Sequence, residues 1–188
     1  MDQVEDVITA MDFFDKAAGA QVLFTWPPPR AKIGRMYGLT LTPHSLVRWV
    51  VILAGLFAAL RGLAGWLGRK PWTIDDDRTG RVFVISFDTQ ILIGLVMYVF
   101  VSPITTSAFQ NMGGAMQNAG VRFWVVEHPT AMILGLALAH IGRVRVTRAE
   151  DAALKHRRAA IYFGLALLLV LLGSPWPFTP VARPLLPW

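Results

Sequence analysis

Four histidines carry most of the metal and proton chemistry open to this chain of 188 residues, because cysteine is absent. Without cysteine there is no disulfide, no thiolate metal site, no thiol nucleophile and no iron–sulfur cluster held by this chain alone. The histidines fall into two pairs along the apolar segments. His44 and His128 lie toward one end of them, His140 and His156 toward the other. Two imidazoles from neighbouring helices, facing each other across a flat apolar slot, are what a b-type haem needs. The magnesium of a chlorophyll-type pigment needs only one. His44, His128 and His140 are therefore candidate haem or pigment ligands. The alternative for each is an interfacial residue with one wet edge, and Lys155-His156-Arg157-Arg158 reads as a solvated basic anchor.

Three further ionisable residues sit among or beside apolar runs. Arg48 lies one helical turn after His44, and Glu127 immediately precedes His128. An Arg48–Glu127 pair flanked by the two histidines would be a satisfied polar cluster. It could serve as a staple between helices, or as a contact for a quinone or a haem propionate. Asp88, with Gln90 nearby, lies within an apolar segment, where a charge costs a few kcal/mol unless it is neutral or paired. Arg61 is its candidate partner. Small residues form two ridges, Ala54–Ala58–Gly62 and Ala131–Gly135–Ala139. Such ridges let helices approach closely or leave a flat face for a planar ring.

The elements that must position these groups are membrane helices. Hydrophobic residues make up 54% of the chain and charged residues only 16%, against about 25% charged in soluble domains. The mean hydropathy is +0.48. A spanning helix needs about 20 mostly apolar residues, and four segments qualify. They run from His44 to about Trp66, from about Arg81 to Ser102, from about Arg122 to Gly142, and from about Ala159 to Gly173. The last is short and is extended by apolar Pro175–Phe178. The runs do not alternate, so barrel strands are excluded. The expected fold is all-α: a polytopic four-transmembrane-helix bundle over residues 44–178. An N-terminal docking tail (1–43) and a Pro-rich C-terminal tail (179–188) flank it.

Four spans place both termini on one side. Eleven of the 18 basic residues fall on the other side, in the two short loops and their flanks: Arg61, Arg69, Lys70, Arg78, Arg81, Arg143, Arg145, Arg148, Lys155, Arg157 and Arg158. By the positive-inside rule those loops are cytoplasmic and the termini periplasmic, in a bacterial inner membrane. The isoelectric point of about 10.3 then reports topology, and nucleic acid is not an expected partner. Residues 1–20 carry Asp2, Glu5, Asp6, Asp12 and Asp15 and no basic leader, so no secretory signal peptide is expected. Val4, Val7, Ile8, Met11 and Phe14 recur at helical spacing and suggest an amphipathic helix docked on a partner. The segment Phe24–Arg30 and the ending Pro180–Trp188 read as extended, polyproline-like chain. Phosphate-binding loops, dinucleotide fingerprints and hydrolase or metalloprotease signatures are missing from the sequence.

His44-Ser45-x-x-Arg48-Trp49, Gln90-x-x-x-Gly94-Leu95-x-x-Tyr98, Glu127-His128 and Pro175-Trp176-Pro177-Phe178 resemble a little-characterised group of bacterial four-helix membrane proteins. Members are sometimes labelled cytochrome b-like. The likeness covers residues 44–178. It implies a histidine in the second span near the position of Asp88, so this chain lacks one ligand that the resemblance would supply. The expectation is a non-catalytic accessory subunit of a large respiratory or photosynthetic complex, with other membrane subunits and lipids as partners. The alternatives are a b-type cytochrome in quinone-linked electron transfer and a single-histidine pigment-binding subunit.

Overall fold

A computed structural model describes residues 30–183 of the chain, and the side chains from Met36 onward. The candidate amphipathic helix at Val4–Phe14, the extended segment before Arg30 and the last residues from Pro184 lie outside this range. Every regular element within it is helical. Seven α-helices follow in order: α1 (Arg30–Leu67), α2 (Ile74–Val96), α3 (Pro103–Gln110), α4 (Met112–Gln117), α5 (Ala119–Arg122), α6 (His128–Thr147) and α7 (Ala152–Leu172). Two π-helical turns interrupt the series, Met97–Val101 after α2 and Phe123–Glu127 before α6.

Among the described residues three helical segments are long and apolar enough to cross a membrane: Met36–Leu67, Ile74–Val101 and Ala119–Thr147. The protein is thus a helical membrane protein by length and composition. Helix α7, the fourth expected span, forms but carries Lys155, Arg157 and Arg158 in its first two turns. These leave Ala159–Leu172, about 21 Å of helix, against a hydrocarbon thickness of ~30 Å.

Two boundaries differ from the sequence reading. Helix α1 runs unbroken through Pro43, whereas Pro43 suggested a helix start at His44. A proline inside a helix removes one hydrogen bond, which is tolerated in membrane helices when neighbours satisfy the freed carbonyl. The segment between Ser102 and Arg122, read as a loop, folds into three short helices.

The chain divides into two compact units. The larger, Ser45–Leu92 with Pro129–Ser174, packs the long helices through small residues. A Cβ added at Gly62 of α1 would lie 2.6 Å from the backbone nitrogen of Ala160 in α7. Gly142 of α6 likewise leaves no room beside the Cβ of Tyr162. Phe83, Phe87 and Phe163 fill the interior and are fully buried. Phe83 and Phe163 meet edge-to-face at 5.7 Å. The ridge residues Ala58, Gly62, Gly135 and Ala139 are all buried, so these ridges serve close packing in this unit.

The smaller unit comprises Met1–His44, Ile93–His128 and Pro175–Trp188. Its core gathers Ile104, Ala108, Ala115, Val121 and Val125, with Met116 and Trp124 against it. Each short helix starts at a side-chain cap. Ser102 Oγ accepts from the Thr105 amide, Asn111 Oδ1 from Gly114 and Asn118 Oδ1 from Val121. The C-terminal segment up to Arg183 turns back rather than running extended. Thr179 and Ala182 amides close successive turns onto Trp176 and Thr179 carbonyls. The Arg183 guanidinium lies 5.3 Å from the centre of the Trp124 ring.

Candidate functional site

In the smaller unit the structure brings His44 and His128 together. Their ring centroids are 6.4 Å apart with planes at 70°. Local chemistry places both. Pro129 has no amide hydrogen, so the Val125 carbonyl one turn earlier loses its helical donor. The Tyr98 hydroxyl supplies one instead, donating to that carbonyl at 2.8 Å. The widened π turn Phe123–Glu127 ends on His128 at this point. Phe123 and Trp124 then flank the His128 ring at 5.9 and 5.7 Å. On the other side, a Cβ at Gly94 would stand 3.0 Å from His44 Cε1, so the missing side chain leaves space for that imidazole. Single π turns interrupting α-helices are frequent at functional sites, and two occur around this cluster.

The structure thus brings these two imidazoles side by side. Glu127 beside them pairs with Arg122 at 2.8 Å. The sequence reading had paired it with Arg48. Arg48 is buried, with its guanidinium 5.6 Å from the Trp49 ring centre.

The second anticipated histidine pair does not form, because His140 and His156 have separate surroundings in the larger unit. His140 Nε2 lies 2.8 Å from Asp88 Oδ1, joining α6 to α2. Arg61, expected to neutralise Asp88, bonds Asp76 through Nε at 2.8 Å instead. The reason is geometric. Asp88 lies more than three turns along α2 from the end that faces Arg61. Asp76 stands in the first turn of α2, opposite the last turns of α1. His156, read as a solvated anchor, is 1% exposed. Its ring sits against Gly65, where no Cβ fits, and 4.8 Å from the Trp72 ring.

Sequence reasoning missed a second cluster at this end of the larger unit. Asp76 accepts from the Thr73 amide at 2.8 Å and from the Thr73 hydroxyl at 2.6 Å, as well as from Arg61. Asp77 joins Arg81 at 2.6 Å and Arg143 at 2.7 Å. The available signal was Thr73-x-x-Asp76, a capping box in which the threonine caps α2 and the acid reaches back. Among the described residues, no group of three or more His, Asp or Glu side chains could hold a metal ion. Compared with known proteins, the chain matches no family model, no curated protein and no solved structure.

Proposed function

We propose that the chain is a non-catalytic accessory subunit of a large energy-converting membrane complex, respiratory or photosynthetic, packed beside core subunits. The observation that carries this reading is the Asp88–His140 pair. Both side chains are exposed, at 41% and 51%, and Asp88 lies about two turns inside the apolar run that follows Arg81 in the span Ile74–Val101. Nearby Ile85, Leu92 and Ile141 are exposed too. An ionisable pair at that depth is costly against lipid and is found facing protein or water. Only about a third of each span is buried inside the chain itself: 33%, 33% and 28%. A neighbouring subunit covering the α2–α6 face would shelter the pair and part of the remaining apolar surface.

In this proposal α7 crosses as the fourth helix of a bundle. Lys155, Arg157 and Arg158 would extend their ammonium and guanidinium groups to the cytoplasmic boundary, and Pro175–Phe178 would complete the apolar length. The termini would be periplasmic and the short loops cytoplasmic, in a bacterial inner membrane. The resemblance to four-helix proteins labelled cytochrome b-like enters on its four short motifs alone.

The test is gentle purification from native membranes. The wild-type chain is expected to travel with other membrane subunits. An Asp88→Leu, His140→Leu double variant, whose side chains suit lipid, is expected to insert and migrate alone. A wild-type chain that migrates alone, or a double variant that stays in the complex, overturns the reading.

One observation favours a second reading, a b-type cytochrome or pigment-binding subunit. This is the approach of His44 and His128. Those two residues would supply axial imidazoles, and a bound haem would supply one-electron transfer, with quinone as the matching redox partner. A reduced-minus-oxidised spectrum of the purified chain decides it. A haem band lost in both His44→Ala and His128→Ala supports this reading, and a flat spectrum removes it.

A further inference from the structure

At the end of α1 the larger unit holds a cavity of about 250 Å³, lined by Arg61, Ala64, Gly65, Lys70, Pro71, Thr73, Asp76 and His156. We propose that it receives the phosphodiester headgroup of an anionic phospholipid. The proposal needs that α1 spans a membrane with its Lys70 end at the cytoplasmic face, as proposed above, and stands apart from the partner and haem readings.

The walls of the cavity are fixed by backbone chemistry. Helix α1 ends in a Schellman motif, in which the Lys70 amide bonds the Gly65 carbonyl at 3.0 Å and the Arg69 amide bonds that of Trp66 at 3.4 Å. The left-handed position this motif requires is held by Arg69, at φ 49°. Lys70 is therefore placed against the last turn of α1 and does not trail from a loose loop. His156 forms part of the lining, its Nε2 3.4 Å from the Pro71 carbonyl. That contact ties the loop to α7.

The charges in the lining are unequally used. Asp76 is turned inward, with its side chain 6% exposed, and its oxygens are taken by Thr73 and Arg61. Its negative charge is thus neutralised within the wall. Arg61 gives Nε and Nη2 to Asp76 and Thr73, while its Nη1 has no acceptor among the described residues. The Lys70 ammonium has no carboxylate partner among them either. With Asp76 offset by Arg61, the lining keeps one net positive charge, that of Lys70, and the unused Nη1 of Arg61 adds a donor beside it; an oxyanion is the ligand that uses both.

The surroundings identify the source of that oxyanion. The ring of Phe57, one turn deeper in α1, lies 5.9 Å from the Arg61 guanidinium carbon and is 56% exposed. Leu60 beside it and Leu53 one further turn in are also exposed. Apolar surface thus continues from the cationic rim toward the membrane interior, as acyl chains below a headgroup require. Trp66, with Arg157 over its ring at 5.7 Å, and Trp72 mark this level as an interface, where such rings are enriched. Basic pockets at the cytoplasmic ends of spanning helices are suited to anionic headgroups.

The experiment is native mass spectrometry of the full chain released from micelles, with phosphatidylglycerol, phosphatidylcholine or inorganic phosphate added. Wild type is expected to retain phosphatidylglycerol in preference to phosphatidylcholine, and inorganic phosphate is expected not to displace it. Lys70→Gln, in an exposed loop, is expected to lower that retention about fivefold. Arg148→Gln, an exposed cation away from the cavity, is expected to leave it unchanged. Equal retention of the two lipids, or retention unchanged in Lys70→Gln, overturns the proposal. An equal loss in Arg148→Gln means diffuse attraction and also overturns it. Displacement by inorganic phosphate would make this a soluble-phosphate site and overturn the lipid assignment.

Discussion

The two compact units are built by opposite means from similarly apolar sequence. The larger unit holds long regular helices by removing side chains: Gly62, Gly65 and Gly142 bring backbones and rings to van der Waals contact. Its arginine–aspartate pairs collect at one end, on Asp75, Asp76 and Asp77. The smaller unit uses short helices, each started by a side-chain cap, and two π turns joined by the Tyr98–Val125 hydrogen bond. Dispersion over flat surfaces stabilises the first. Directional hydrogen bonds that satisfy otherwise orphaned backbone groups shape the second. Helix–helix contact inside a membrane lacks a hydrophobic driving force, so close approach must supply it. Where helices are short, capping carries more of the stability.

The comparison breaks most visibly at Gly62. Any Cβ there meets the Ala160 backbone, which cannot yield as a flexible side chain can. Gly62→Leu is expected to push α1 from α7 and cost about 3 kcal/mol or more. Loss of folded, monodisperse protein or a large fall in thermal midpoint in detergent would show it. Gly164, where an added Cβ meets nothing within 4 Å, is the control: Gly164→Ala is expected to be neutral or slightly stabilising, since alanine has the better helix propensity. If both variants behave alike, close approach is not what holds this unit.

What the sequence made legible follows the same division. The apolar segments were readable because their length is set by the bilayer, and α1, α2 and α6 contain the three expected there. The partners of the polar residues were not readable. These helices are apolar almost all round, so periodicity does not say which side faces inward, and Asp88 meets His140 across 52 residues of sequence. The Arg61–Asp76 pair was hidden for the same reason, although Thr73-x-x-Asp76 announced the start of α2. Span direction pairs His44 with His128 and His140 with His156 alike, and only the first two rings lie near each other. Gly94 and the Tyr98 hydroxyl, which position them, gave no periodic signal. Helices α3 to α5 are too short to show an apolar period and contain Gly113 and Gly114, so their signal lies only in Ser102, Asn111 and Asn118, each placed three residues before the amide it caps.

Tyr98 sharpens the comparison on the side of the smaller unit. Tyr98→Phe keeps the ring against Phe109, 5.3 Å away, and deletes only the donor to Val125. A part-buried carbonyl whose i+4 residue is a proline then loses its side-chain donor, at a cost of about 1–2 kcal/mol. The expected result is a modest fall in thermal midpoint with faster amide exchange confined to residues around Phe123–His128. If the π turn exchanges as in wild type, the Tyr98 hydroxyl is not what sustains it.

The smallest effect tests how much the side-chain caps of the smaller unit contribute. Asn118 Oδ1 accepts from the Val121 amide at 3.0 Å, and Val121 is a buried member of the small core. Asn118→Ala is expected to cost about 1 kcal/mol, whereas Asn118→Ser, which can still accept, should recover most of it. Asn111→Ala should cost less than Asn118→Ala. The amide it caps belongs to Gly114, and its helix buries only Ala115. Equal costs at the two positions would mean that the caps act only locally. A larger cost at Asn118 would mean that its cap also sets Val121 in place, and with it the approach of α5 to the turn that ends on His128.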